Sequence, residues 1–406
     1  MGRIACCGLV GLAGLIAACS SSSGASSYRP EASSPAGTND VSKGSGDSNG
    51  SSIDAPIPEP PSDSAASTGS MGSTSSTSSG ASAPSDSDSE DPAGAAGAGG
   101  GTGMANTQVG PGILTAGAWD DNRNFDRFLG YRSGLAALQL PGLLPITEDE
   151  LRAAHTLWTV APVAKQTLDV SLIIDTTGSM GDEIAYLQSE FSALSTTIAM
   201  NHPDAQQRWS LVLYKDTVDE YVTRFFDFGE TPEDFRKQLA TASAGGGGDY
   251  PESPEKALEV AQQLHWRADD ATAKLAFWVT DAPHHDDRAQ EMADAIRGVG
   301  KLGVHVYPVA ASGVDELAEV SMRTAAELTG GRYLFLTSDS GIGGAHKEPT
   351  IPCYFVTKLD VAIERMVDIE LSGQYREPDP SEVLRTGGNP QDGACTLDSG
   401  ESVLVF

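Results

Sequence analysis

From residue 168 to 373 the apolar positions switch repeatedly between a short continuous run and a helical repeat. Val170 to Ile174 is an unbroken β-prone run, the pattern of a strand covered on both faces. Behind it, Ile184, Leu187, Phe191, Leu194 and Ile198 recur at helical spacing. Arg208 to Tyr214 and Glu220 to Phe228 read as two strands, and Lys215 to Asp219 is too short for a crossover, so they are expected to pair antiparallel. Thr231-Pro232-Glu233-Asp234 opens a capped helix, and Ser253 to Leu264 is another. Then follow a strand at Lys274 to Thr280, a helix at Ala289 to Leu302, a strand at Val304 to Ala310, a helix at Val314 to Leu328 stopped by Gly330-Gly331, a strand at Arg332 to Leu336, and a helix at Val356 to Leu371. This order predicts an α/β fold with one mostly parallel six-stranded sheet, a single antiparallel edge strand and helices on both faces.

The pattern is weaker on either side. Gly110 to Gln166 shows one clear helix, Glu148 to Trp158, with Thr147 and Glu150 spaced as a capping box. Val403 to Phe406 is a short apolar end that could add an edge strand. Residues 20–107 are mostly Ser, Gly, Ala, Pro and Asp without apolar periodicity, and such a segment is expected to stay disordered. Ahead of them Arg3 and the apolar stretch Leu9 to Ala18 read as a secretion signal, too short to span a bilayer. Ile16-Ala17-Ala18-Cys19 resembles a bacterial lipobox, which implies lipid on Cys19, and Ser20 after it favours export to the outer membrane. The Ser-rich segment would then be a tether with a reach of about 50 Å. The expected organisation is a signal at 1–19, a linker at 20–107, an N-terminal extension at 108–167, the α/β domain at 168–373 and a C-terminal extension at 374–406.

Charge narrows the partners. The chain carries a formal −30, which disfavours nucleic acid and suits cations. Cys6 and Cys7 fall in the signal, leaving Cys353 and Cys395 for the folded part. In an exported protein these two are candidates for a disulfide stapling the C-terminal extension to the domain; the alternative is two unpaired thiols.

Candidate chemistry lies at strand ends. The first strand ends on Asp175, and Thr177 and Ser179 follow in the turn to the helix. Ala244-Gly245-Gly246-Gly247-Gly248-Asp249-Tyr250-Pro251-Glu252 precedes another helix, and the strand at 274–280 ends on Asp281. In a doubly wound sheet the loops 175–179, 245–249 and 281–283 would meet where the strand order reverses, which is where such sheets bind ligands. Carboxylates and hydroxyls suit a hard cation. The plain alternatives are that Ser179 only caps the helix, that Asp249 is solvated on a flexible loop, and that Asp281 is a helix cap.

Asp175-Thr176-Thr177-Gly178-Ser179-Met180 resembles the D-x-S/T-G-S motif of the von Willebrand factor type A domain, with its metal-ion-dependent adhesion site. The resemblance covers about 168–373. It implies a doubly wound, Rossmann-like sheet, and Mg²⁺ (or Mn²⁺ or Ca²⁺) held by Asp175, Thr177, Ser179, Asp249 and Asp281, with Asp249 standing where the family usually has Thr. It further implies a binding module rather than an enzyme. An acidic side chain of an unknown protein or peptide partner would complete the coordination, and the membrane would be touched only through the lipid anchor. The Gly-Gly-Gly-Asp-x-Pro-Glu form resembles a subset of bacterial and extracellular type A domains, and Gly112 to Asn122 resembles a block preceding such domains in bacterial secreted proteins. In the family the C-terminal helix can shift when the metal site is filled. Competing readings are a metal-assisted hydrolase with Asp249 or Glu252 as base, and a structural domain with an inactive site.

Other motifs carry less. Asp120, Asn122, Asn124 and Asp126 alternate like an EF-hand loop, but Phe125 and Tyr131 stand where Gly and Glu are needed. His284 and His285 are expected on a polar rim rather than at zinc, and Gly46 to Gly50 matches G-x-S-x-G only within the linker.

Overall fold

The computed structural model describes residues 113–159, 163–229, 231–341 and 344–406. The signal, Cys19 and the Ser-rich linker lie outside the described residues.

The strand β2 (Thr167–Asp175) is covered on both faces, as its apolar run requires. It lies between β3 (Gln206–Tyr214) and β5 (Thr272–Thr280), parallel to both. Outside β3 runs β4 (Thr223–Gly229), antiparallel, as the short connection dictates. On the other side follow β6 (His305–Ala310) and β7 (Tyr333–Thr337), both parallel. These are the six expected strands in the expected order.

Three more strands extend the sheet, so six is corrected to nine, and the single antiparallel strand is corrected to three. The strand β1 (Thr115–Trp119) from the N-terminal segment pairs antiparallel with β7, and β8 (Tyr354–Lys358) and β9 (Arg385–Gly387) continue beyond it. Val356 to Lys358 thus belong to a strand, and the C-terminal helix begins only at Leu359. The apolar end does not join this sheet: β11 (Ser402–Leu404) pairs with β10 (Ala394–Thr396) in a separate two-stranded ribbon. Cys353 and Cys395 are joined by a disulfide, with Cα atoms 6.3 Å apart, tying this ribbon to the residue before β8.

Alternating strand residues face two apolar layers. Val170, Leu172 and Ile174 face the helices α3 (Gly181–Asn201), α4 (Pro232–Leu239) and α8 (Leu359–Ser372). Ile173, Val212 and Trp278 face α5 (Pro254–Ala261), α6 (Ala289–Lys301) and α7 (Glu316–Thr329), with α1 (Phe125–Ala137) and α2 (Glu148–Trp158) on the same layer. In α2 the Thr147 hydroxyl accepts from the Glu150 amide as expected, but the Glu150 carboxylate turns away to Arg297 and leaves the capping box half made.

Buried ion pairs lock the N-terminal segment in place. Arg323 of α7 donates to both oxygens of Asp121 at 2.8 and 2.7 Å, and Arg332 donates to Asp120 at 2.9 Å. These two acids, part of the EF-hand-like alternation, are therefore held by guanidinium groups. Within β2, the fully buried Asp169 takes bonds from Arg208 and Arg267. Among the described residues no helix is long and apolar enough to cross a membrane.

Candidate functional site at the strand-order reversal

The chain leaves β2 towards β3 and β4, then returns to β5 on the opposite side of β2. A crevice therefore opens at the carboxyl ends of β2 and β5, and Asp175 and Asp281 stand at those ends. Asp175 is fully buried. Its Oδ1 accepts from the Thr177 amide at 2.9 Å and the Thr177 hydroxyl at 2.7 Å, and its Oδ2 accepts from the Thr280 hydroxyl at 3.1 Å. Burial pushes this carboxyl up to about 6, against the pull of the Thr177 donors, and the charge of Asp281 adds to the rise.

After Thr177 the backbone makes a 3₁₀ turn, Gly178–Met180, before α3 begins at Gly181. The exposed Ser179 does not cap the helix: the cap position falls on Met180, and the Ser179 side chain hydrogen-bonds Asp281. Burial raises the Asp281 carboxyl, and the Ser179 bond partly offsets this.

The glycine loop closes one wall. Gly178 N donates to Gly246 O at 3.2 Å, and Gly245 N to Thr176 O at 3.1 Å. Lys215 Nζ donates to Gly245 O, and Gly247 N donates to Asp219 Oδ1 at 3.0 Å. Gly246 and Gly247 take φ of +81° and +80°, a region only glycine enters freely. A Cβ on Gly247 would lie 3.2 Å from Thr177 Cβ and 3.4 Å from Glu252 Oε1, so close approach also demands glycine there.

The result is a cleft of about 400 Å³ whose lining includes Thr177, Ser179, Asp249, Tyr250, Glu252 and Asp281. The expected residues thus assemble, but not equally. Asp175 lies beneath the lining with the Thr177 hydroxyl turned onto it. Ser179 and Asp281 share a hydrogen bond in the lining. Asp249 sits exposed on the rim.

Glu252, in the sequence a candidate base, is the buried acid of the loop. It is 3 % exposed, and its Oε2 has no hydrogen-bond partner. Burial first, then the charges of Asp175, Asp216, Asp219 and Asp281, push its carboxyl up to about 9. Its backbone is pinned to the third loop, with Glu252 N donating to Pro283 O at 2.9 Å and a parallel bridge to His284. The spacing Asp249-Tyr250-Pro251-Glu252 was the available signal; nothing in it says which acid turns inward. Thr280, Lys215 and Asp219 carried no signal, because their roles depend on neighbours distant in sequence.

The two histidines part company. His284 is buried and its Nε2 bonds Gly142 O, while His285 Nε2 bonds Asp216 Oδ1 at 2.7 Å. Among the described residues no three His, Cys, Asp or Glu side chains gather in a way that could hold a metal alone. A cation here would draw on hydroxyl, water or backbone oxygens besides carboxylates. The chemistry of the donors fits that: Asp175, Glu252 and Asp281 form no ion pair among the described residues, and Glu252 Oε2 is a buried oxygen without a donor.

Residues 169–311 match the von Willebrand factor A domain family. The matched span runs from β2 through β6 and takes in all three loops of the crevice, so this part of the chain is a von Willebrand factor A domain. The chain is also 25% identical over 142 residues to an alpha-protein kinase of Dictyostelium discoideum, covering 35% of this chain and 22% of that protein. It is 26% identical over 125 residues to a putative ariadne-like RING finger protein of Acanthamoeba polyphaga mimivirus, covering 30% of this chain and 12% of that protein. The chain therefore spans less than a quarter of either relative's length.

Proposed function

We propose that the chain is a protein-interaction module whose binding face is a divalent cation held in the crevice between β2 and β5. The observation that carries this is the set of buried carboxylates there, Asp175, Asp281 and Glu252, none of them paired with Lys or Arg among the described residues. Asp175 and Asp281, with the hydroxyls of Thr177 and Ser179 and an acid from the glycine loop, would hold Mg²⁺ or Mn²⁺. When bound, the ion supplies a Lewis-acidic position for an oxygen of the partner, which the family resemblance gives as an acidic side chain. Thr280 and the Thr177 amide orient Asp175, and Ser179 orients Asp281. Ser253, the residue after Glu252, donates to Asp216 Oδ1 at 2.9 Å, the oxygen that His285 also contacts. With the lipobox-like Cys19 and the Ser-rich linker, the module would sit tethered at the outer membrane.

Calorimetric titration of the full chain with Mg²⁺ and Mn²⁺ tests this. Saturable binding is expected, lost in Asp175→Ala while the far-ultraviolet circular dichroism is unchanged. Absence of binding to the wild type, or full binding by the folded variant, overturns it.

A further inference from the structure

A second cavity, of about 220 Å³, lies at the opposite end of the sheet from the crevice. Thr272 and Lys274 near the start of β5 and His305 at the start of β6 line it, so it sits at the amino ends of these strands. The crevice lies at the carboxyl end of β5, and the nine residues of that strand put about 25 Å between the two. One wall is apolar and fixed. The Trp158 ring lies against Gly330, where a Cβ would come within 2.5 Å of it, and stands edge-on to His305 at 4.7 Å. Its indole N–H is already bonded to Leu328 O at 3.1 Å, so the ring offers the cavity apolar surface only. Leu157 and Val163 also line the cavity and are 60 % and 72 % exposed, which makes its mouth apolar.

The other wall is cationic, in a chain with 56 acids against 26 Lys and Arg. Two of the lining charges are answered within the protein: Arg332 by Asp120 at 2.9 Å, and Glu370 by His305 Nδ1 at 2.7 Å. Lys165 and Lys274 are not. Lys165 Nζ donates to Asp270 O at 2.7 Å and Lys274 Nζ to Leu302 O at 3.0 Å, and neither ammonium meets a carboxylate among the described residues. A backbone carbonyl uses one of the three donors on each ammonium and leaves its charge unmatched.

We propose that this cavity binds a small amphiphilic carboxylate, its head on the ammonium groups of Lys165 and Lys274 and its apolar tail along Trp158, Leu157 and Val163. A carboxylate accepts charge-assisted hydrogen bonds from both lysines, which a neutral or cationic ligand cannot do. The volume equals that of about seven waters and falls below the roughly 300 Å³ at which drug-sized sites begin, so the ligand is of the size of a short fatty acid. The chain as a whole repels anions, and only a local excess of cations such as this one offsets that field.

Calorimetric titration of the full chain with octanoate, 1-octanol and acetate at neutral pH tests the site. Saturable binding of one octanoate per chain is expected, with octanol and acetate each weaker by at least about tenfold, since one lacks the charge and the other the tail. The double variant Lys165→Gln, Lys274→Gln is expected to weaken octanoate by at least about tenfold. Should that variant fail to fold, Val163→Asp places a negative charge at the exposed mouth without touching the core, and the same weakening is expected. No saturable octanoate binding by the wild type, octanol binding as tight as octanoate, or undiminished octanoate binding by either folded variant overturns the proposal.

Discussion

Asp219, in the connection between β3 and β4, accepts the amide hydrogen of Gly247 at 3.0 Å across 28 residues of sequence. The edge hairpin therefore holds the glycine loop in place, and the loop's shape is set by a strand connection outside the crevice. Gly247 has a positive φ and little room around its Cα. Gly247→Ala is expected to cost about 1–3 kcal/mol in urea unfolding, because the left-handed conformation and the contact with Thr177 Cβ both oppose a methyl group. Wild-type stability in this variant would show that the loop relaxes freely.

The N-terminal segment is locked on by charge. Arg323 and Asp121 are each about 2 % exposed at the side chain and meet through two hydrogen bonds. Arg323→Ala would leave a buried carboxylate unpaired, at a cost of about 3–5 kcal/mol. Chemical denaturation measures this. A loss below about 1 kcal/mol, the value of a surface pair, would mean that water reaches Asp121.

Glu327 in α7 is fully buried, and its carboxyl is pushed up to about 9, first by burial and then by the charges of Asp121 and Asp120; the His155 ring approaches it only to 3.5 Å. The folded chain thus keeps a proton that the unfolded chain releases near the ordinary Glu value. The stability linked to this proton is full below about pH 4.5 and is lost as pH rises through about 9, with a slope of up to about 1.4 kcal/mol per pH unit. Glu327→Gln is expected to raise the melting temperature at pH 8 and leave it nearly unchanged at pH 4. An equal effect at both values would contradict the buried, protonated state.

The disulfide closes a separation of 42 residues between Cys353 and Cys395. Removing it with Cys395→Ser is expected to lower stability by about 3–4 kcal/mol through the freedom regained by the unfolded chain. Melting with and without a reducing agent checks this independently: the wild type should fall to the level of the variant, and the variant should not respond.

The Asp175-x-Thr177-x-Ser179 turn and the order of the six strands from β4 across to β7 were legible because each depends on neighbours close in sequence. Period-two and period-3.6 patterns, a cap and a strand-end acid are local facts. Strand β1 was not legible: Thr115-Ala116-Gly117-Ala118-Trp119 is short and weakly apolar, and it becomes a strand only because β7 and β8 offer it hydrogen-bonding edges from more than 200 residues away. Missing it also misplaced Val356, which reads as the first apolar position of a helix until β1 is there to pair with it.

The wound sheet, the reversal point and the three loops that meet there follow from hydrophobic period and connection length, which leave few topologies open. Which loop acid is buried depends on contacts between loops distant in the chain. Asp249 and Glu252 are chemically alike and three residues apart, and the bond from Glu252 N to Pro283 O turns one of them into the crevice while the other stays in water.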